Sequence, residues 1–504
     1  MHKLQSFILV SILFNPIIIN AQNFHYSNPE KKGLISSFNI IGRVKDKILV
    51  WQTDKDHPEN SGILIYDNDM KIVKRVNTNL IQNGDLFAVN FVAKTDSFQV
   101  IYQYLKNNKL MCELATYNSE GLNTGNQQID SLPLDKPDEF NEKAFVILKP
   151  DHGQSFALVR AEIVSDKTVK VLYHYSSEKA MYSGETLLPF YPNKSILENL
   201  ILDDKANILV ALSSKCDSGS DLTIYKINAV NNVVTNTLRK LPAGNVMYAS
   251  LNMVEKDGNY LICSGWQQDS LKGIFLWQLN YELDDVKPDA IVTDNILNDS
   301  LFTKLNKFRL TVFQMNGYFN IFLGSEDRFQ LVTNPATIWS NQPTYIYKPT
   351  DSENMIALQR AADITNSFNY ETQQNIGGEV NKVKEAPEKY ILASLSFDVK
   401  NNYWAIKSFN GGLEPHVLSF INNATIIKNN SSYNILFEQM LSNKKNGVGM
   451  ITLKPDNNYT YNNLVLTHLK YHLQLNNIVQ ISPNEIIAPL SYRNEMVFVR
   501  IVFN

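Results

Sequence analysis

The stretch LDDKANILVALS, residues 202–213, carries the pattern on which the whole chain is built. Leu202 closes one apolar run, Asp203 to Asn207 make a polar turn, and Ile208 to Leu212 start the next apolar run. The same phrase recurs as VKDKILVWQ from Val44, AKTDSFQVIYQ from Ala93, LKPDHGQSFALVR from Leu148 and VEKDGNYLICSG from Val254. It returns as FQMNGYFNIFLG from Phe313, IKNNSSYNILFE from Ile427 and ISPNEIIAPLS from Ile481. Start-to-start intervals are 49, 55, 54, 52, 59, 114 and 54 residues. A near-constant period of this size marks an array of supersecondary units, each too small to bury its own apolar face.

Around each phrase lie further short apolar runs, such as ILENLIL before the turn at Asp203 and DLTIYKI after it. Second turns rich in Asn, Asp and Gly follow (YDNDMK, YNSEG, INAVNN, LKPDNN). Short alternating strands separated by turn signals predict an all-β chain, and the 11% aromatic content suits pleated surfaces. Four antiparallel strands per unit of roughly 50 residues resembles the blade of a β-propeller. The resemblance implies one ring of about eight four-stranded blades, or seven if the phrase count splits a unit. The last unit stops after its third strand at Phe503-Asn504, and the segment between Asn23 and Ile41 is available to complete it. The ring is therefore expected to be closed by its N- and C-terminal strands, which removes an exposed edge. The Trp-Asp pairs of WD repeats, Asp boxes and quinoprotein docking motifs are missing, and the Gly doublets that kelch repeats carry in each unit occur only at Gly377-Gly378 and Gly411-Gly412. The chain is similar to exported bacterial propeller repeat proteins, and that resemblance implies no activity.

The 114-residue interval is one unit carrying an insertion at about 325–388, between a second strand near Phe322 and a third near Tyr390. Within it, Thr365 to Glu388 is polar and reads as a surface loop. At the other extreme, His2 and Lys3 precede an apolar stretch from Leu4 to Ile19, with Ala21 before Gln22. This has the form of a cleaved secretory signal at residues 1–21, leaving 22–504 as the mature propeller. The expected location is periplasmic or secreted. No later apolar run is long enough to cross a bilayer as a helix, so no membrane span is expected after cleavage.

Net charge is −3 with 19% charged residues, which provides no basic field for nucleic acid. Cys112, Cys216 and Cys263 are too few and too scattered for a disulfide framework, and Cys112 and Cys263 sit in apolar strand patterns. His468 and His472 have the spacing of a helical metal pair, but in a strand they stand roughly 13 Å apart. Asp67-Asn68-Asp69 and the run from Asp217 to Asp221 offer turn oxygens without a full calcium set. Asp130, Asp135, Asp138, Glu139 and Glu142 read as an acidic loop between units. No Gly-x-Ser-x-Gly elbow or phosphate-cradling loop occurs, and neither a cofactor nor a metal is expected.

The propeller resemblance supplies the remaining site argument. Loops joining second to third strands open on the face where propellers bind ligands, and here that face carries the insertion. Arg328, Trp339, Tyr345 and Tyr347 belong to the insertion, while His57, Glu59, Trp266, Gln267 and Arg493 lie on other loops of that kind. Arg and aromatic side chains make good anchors. The leading expectation is a non-catalytic binding or scaffold protein that engages an envelope or extracellular protein, or a glycan. The rival is a polysaccharide lyase or glycoside hydrolase with an axial site.

Overall fold

In all eight phrases the polar turn joins the first and second strands of an antiparallel sheet. The structure is a computed structural model. Between residues 23 and 503 it describes all but 32–36, 54–60, 79–84, 135–144, 151–154, 166, 178–179, 192–194, 217–218, 241–251, 257–258, 268–270, 287–289, 294–307, 316–317, 326–328, 333–392, 399–402, 409–423, 429–431, 441–445, 454–458, 465–471, 474–476 and 493–494. The described residues form strands and turns with no α-helix.

Sheet 1 is Ser37–Val44, Lys47–Thr53, Gly62–Tyr66 and Ile72–Asn77. Sheet 2 is Asp85–Ala93, Ser97–Lys106, Lys109–Asn118 and Asn123–Pro133, and sheet 3 is Val146–Leu148, Phe156–Ser165, Thr168–Ser176 and Met181–Pro189. Sheet 4 is Ser195–Leu202, Asn207–Cys216, Gly219–Asn228 and Val234–Lys240, and sheet 5 is Asn252–Lys256, Asn259–Gln267, Leu271–Asn280 and Ala290–Thr293. Sheet 6 is Phe308–Met315, Tyr318–Ser325, Ala393–Asp398 and Tyr403–Ser408. Sheet 7 contains Ala424–Lys428, Tyr433–Met440, Asn446–Leu453 and Tyr459–Leu464. Sheet 8 contains Val479–Ser482, Glu485–Tyr492 and Glu495–Val502, with His472–Leu473 beside Glu485–Tyr492.

Turn chemistry fixes these meanders. The Asp203 Oδ1 accepts from the amides of Lys205 (2.9 Å) and Asn207 (2.6 Å), and Ala206 takes the left-handed conformation at φ 64°. The same device ends third strands: Asp67, Asn118 and Asn280 each bond the amides two and four residues on. Such side chains mimic a backbone turn. The Asp67-Asn68-Asp69 triplet is therefore a turn whose Asp67 carboxylate is directed at its own backbone.

Inner strands are apolar on both faces, as in Gly62–Tyr66, whereas fourth strands such as Ile72–Asn77 face solvent. The reason, for sheets 1 to 4 and sheet 8, is that each is sandwiched between two others. Leu49 and Trp51 of sheet 1 pack with Phe98 and Val100 of sheet 2, and Ile101 of sheet 2 with Phe156 and Leu158 of sheet 3. Val159 and Val171 meet Ile208 and Val210 of sheet 4, whose Leu209 and Ile224 meet Tyr260 and Trp277 of sheet 5. Leu436 and Met450 of sheet 7 pack on Ile486 and Val499 of sheet 8, whose Ile487 and Phe498 pack on Ile48 and Leu64 of sheet 1. First strands stand beside first strands: Ser37–Val44 touches both Asp85–Ala93 and Val479–Ser482, and Asn252–Lys256 touches Ser195–Leu202 and Phe308–Met315. Antiparallel meanders stacked face to face with their first strands together are the arrangement of a β-propeller.

Two segments depart from the plain repeat. Asn23–Tyr26 pairs with Glu495–Val502, Asn23 opposite Val502 and Tyr26 opposite Val499, so this strand joins the last sheet. Glu30–Lys31 pairs with the same strand, and Ser27 exchanges bonds with the Phe498 backbone. In sheet 6, Tyr318–Ser325 pairs directly with Ala393–Asp398, and residues 326–392 lie between them. Within that span, Phe329–Val332 runs parallel to Ala424–Lys428 of sheet 7. The polar segment from Thr365 to Glu388 lies outside the described residues.

Candidate functional site

Of the nine residues singled out from sequence, Trp266 and Gln267 fall in a described element. They end the strand Asn259–Gln267, opposite Gly273 and Leu271, with a register irregularity between them. His57, Glu59, Arg328, Trp339, Tyr345, Tyr347 and Arg493 lie outside the described residues. So do Asp217, Asp135, Asp138, Glu139, Glu142 and His468, whereas His472 begins a short strand. Asp130 corrects the acidic-loop reading at its first member. It sits in the strand Asn123–Pro133, and its Oδ2 accepts from Arg160 Nη1 of sheet 3 at 3.3 Å.

The structure concentrates chemistry in the seams between sheets. Between sheets 1 and 2, Tyr102 and Tyr104 project from one face of Ser97–Lys106 with their rings stacked at 5.8 Å. Both hydroxyls donate to Glu113 on the next strand, at 2.7 and 2.5 Å. Burial, then the bond to Glu113, pushes the Tyr104 phenol up to about 12 and raises Tyr102 further, so both remain neutral donors. On the facing side, the Trp51 Nε1 and Thr78 Oγ1 atoms are buried without a hydrogen-bond partner.

Between sheets 2 and 3 several polar groups pair with one another, although Gln99 Oε1 is buried without a hydrogen-bond partner. Gln103 donates to the Phe145 carbonyl and accepts from its amide at 2.9 and 2.8 Å, pinning the start of sheet 3. Arg160, only 5% exposed, pairs with Asp130 and with Glu162 at 2.9 Å, and lies over the Phe145 ring at 4.6 Å. Phe145 also meets the His174 ring edge-on, and burial lowers the His174 pKa. Cys112 is a buried free thiol pushed up to about 12 by desolvation, which makes it unreactive. Lys149 donates to the Phe91 carbonyl at 2.6 Å, and burial alone lowers its pKa to about 7.

Two other seams are locked by charge. The fully buried Asp203 accepts the Tyr260 hydroxyl of sheet 5 at 2.5 Å. Between sheets 8 and 1, Arg43 and Arg500 both hydrogen-bond Glu485 Oε1, while Asn68 receives Arg43 and Arg500 through its side chain and carbonyl. Among the described residues no group of three His, Cys, Asp or Glu side chains is arranged to hold a metal ion. These seam partners are far apart in sequence, and period counting gives no signal for them.

No protein-family model matches the sequence, and no curated protein is similar to it. Solved structures resemble it weakly. The WD40 domain of SCAP from fission yeast has a TM-score of 0.40 and 9% identity, over 95% of this chain and 98% of that one. The polysaccharide lyase Uly1 has a TM-score of 0.36 and 8% identity, over 95% of this chain and 99% of its own. The β-propeller domain of Vanderwaltozyma polyspora Nup133 has a TM-score of 0.36 and 8% identity, over 82% and 100%. Likeness at this level carries no function across, and the propeller rests on the chain's own sheets and seams.

Proposed function

We propose that this chain is an exported, non-catalytic binding or scaffold propeller of eight blades that engages a protein or glycan at its insertion-bearing face. Removal of residues 1–21 delivers the mature chain to the periplasm or the exterior. The shared cores and first-strand contacts support a ring of eight, which the pairing of Asn23–Tyr26 with Glu495–Val502 would close.

The observation that carries the binding reading is the tether of the insertion. The chain leaves sheet 6 after Ser325 and lays Phe329–Val332 along the first strand of sheet 7, Phe329 opposite Ala424 and Val332 opposite Ile427. Two neighbouring units thus root one long excursion. It leaves from Val332, beside the end of Ala424–Lys428 that leads to the second strand of sheet 7, and returns at Ala393, opposite Leu323, where the second-to-third connection of sheet 6 emerges. The described charged clusters, by contrast, tie sheet to sheet, which favours a binder over a hydrolase or lyase. Deleting residues 365–388, while keeping the tether strand, is expected to abolish capture of a partner from envelope extract and leave the melting temperature unchanged. Unchanged capture would sink the assignment of that face.

A further inference from the structure

Buried polar atoms in a folded protein are nearly always paired, because an orphan has lost its bonds to water and gained none in return. Sheet 1 carries four such atoms, on Trp51, Gln52, Tyr66 and Thr78, and those of Trp51 and Thr78 point the same way. Trp51 near the end of Lys47–Thr53 and Thr78 just after Ile72–Asn77 lie at the end of the sheet where residues 54–60 depart. There the Thr78 amide bonds the Ser61 carbonyl at 3.1 Å. Alternation along a strand sends Trp51 toward sheet 2, and Thr78 follows Val76 to the same side. Trp51, Tyr102 and Tyr104 accordingly share one cluster, with Val76 packed against it.

Across the seam stands Glu113, half-buried, each carboxylate oxygen already accepting one tyrosine hydroxyl. A carboxylate oxygen has two acceptor positions, so each retains one. The complementary inventory is narrow: an indole N–H that only donates, a carboxylate that only accepts, and a hydroxyl that does both. Exposed Lys106 and Lys109 frame the adjoining turn, where they would repel an amine, and Glu113 would repel an anion. Hydroxyls, which donate and accept without charge, meet every requirement.

We propose that this end of the seam between sheets 1 and 2 is a saccharide site, with Trp51 Nε1, Thr78 Oγ1 and the Glu113 carboxylate bonding neutral sugar hydroxyls and the two tyrosines holding Glu113 in place. It rests on the binding reading above for its face, but not on the insertion. The probes are linear neutral hexasaccharides of glucose, xylose, mannose and galactose, titrated calorimetrically against the mature chain. At least one is expected to bind. Trp51→Phe, which keeps the ring and removes the donor, and Glu113→Gln are each expected to weaken it about tenfold, the effect of one good hydrogen bond. Thr78→Val is a further variant if either of these lowers the melting temperature. Binding by none of the four sugars overturns the proposal. So does binding that survives all three substitutions, or a sugar-soaked structure in which only water meets the indole nitrogen. If the 365–388 deletion abolishes partner capture while the seam variants leave sugar binding intact, the seam site falls and the binding reading stands. The converse pattern sinks the insertion assignment and keeps the site.

Discussion

Lys149 shows how a single side chain in a seam can set the pH response of the molecule. Its ammonium is buried, has one backbone acceptor, the Phe91 carbonyl, and its pKa is lowered to about 7 by desolvation alone. The unfolded chain holds that proton up to about pH 10.4. Between these values the unfolded state binds more protons than the folded one, so this residue's contribution to stability rises with pH. Below about 7 both states are charged, and the folded state bears the whole penalty, on the order of a few kcal/mol. Lys149→Met should therefore raise the melting temperature at pH 6 by a few degrees. At pH 10 the neutral amine still donates to Phe91, and the same substitution should be neutral or slightly destabilising. Melting curves from pH 6 to 10 check this, and a parallel offset at every pH would show that the amine is not the titrating group. The sequence marked Lys149 as one residue of a polar turn. Its burial comes from sheet 2, which turn chemistry does not reveal. Asp203 makes the same point: its turn-capping role was legible in LDDKAN, but its bond to Tyr260 of the next unit was not.

At the scale of elements, the strand Asn23–Tyr26 has the most to do for its length. Phe24 and Tyr26 pack into the seam between sheets 7 and 8, while His25 lies 3.4 Å from Asp69 of sheet 1. Glu30 adds a second link to sheet 1 through Arg75 at 3.0 Å. Removing residues 23–31 would uncover the edge of Glu495–Val502, whose sequence EMVFVRIV is largely apolar, and an open edge of that kind pairs with other chains. The truncated protein should melt several degrees lower and elute as higher oligomers in size exclusion. A monodisperse protein of unchanged stability would mean that the strand contributes little. Strand existence and the first-to-second turns could be read from periodicity, because local patterning sets them. Of the segment from Asn23 to Ile41 offered to the last unit, Asn23–Tyr26 and Glu30–Lys31 pair with its C-terminal strand, while Ser37–Val44 belongs to sheet 1. The seams could not be read from periodicity, since pairings such as Arg43 with Glu485 depend on which sheets become neighbours.

For the whole molecule the central question is whether the two ends of the array act as one body. Each sheet shares its core mainly with its neighbours, so an open array would loosen from its ends inward. A ring has no such end, and a defect in the seam between sheets 8 and 1 would be felt on both sides. Glu485 is the place to make that defect, with its side chain only 10% exposed and both Arg43 and Arg500 directed at one oxygen. Glu485→Gln preserves shape but leaves two partly buried guanidinium groups facing a neutral amide. Breaking a buried ion pair in this way costs about 3–5 kcal/mol when desolvation is complete, and less here because Arg43 is 25% exposed. Hydrogen exchange distinguishes the architectures. In a closed ring, Glu485→Gln speeds exchange together in Asn23–Tyr26, Glu485–Tyr492 and Lys47–Thr53, while sheets 3 and 4 on the far side keep their protection. Faster exchange confined to sheet 8, with Lys47–Thr53 unchanged, would show that the seam does not couple the ends and that the array is open there.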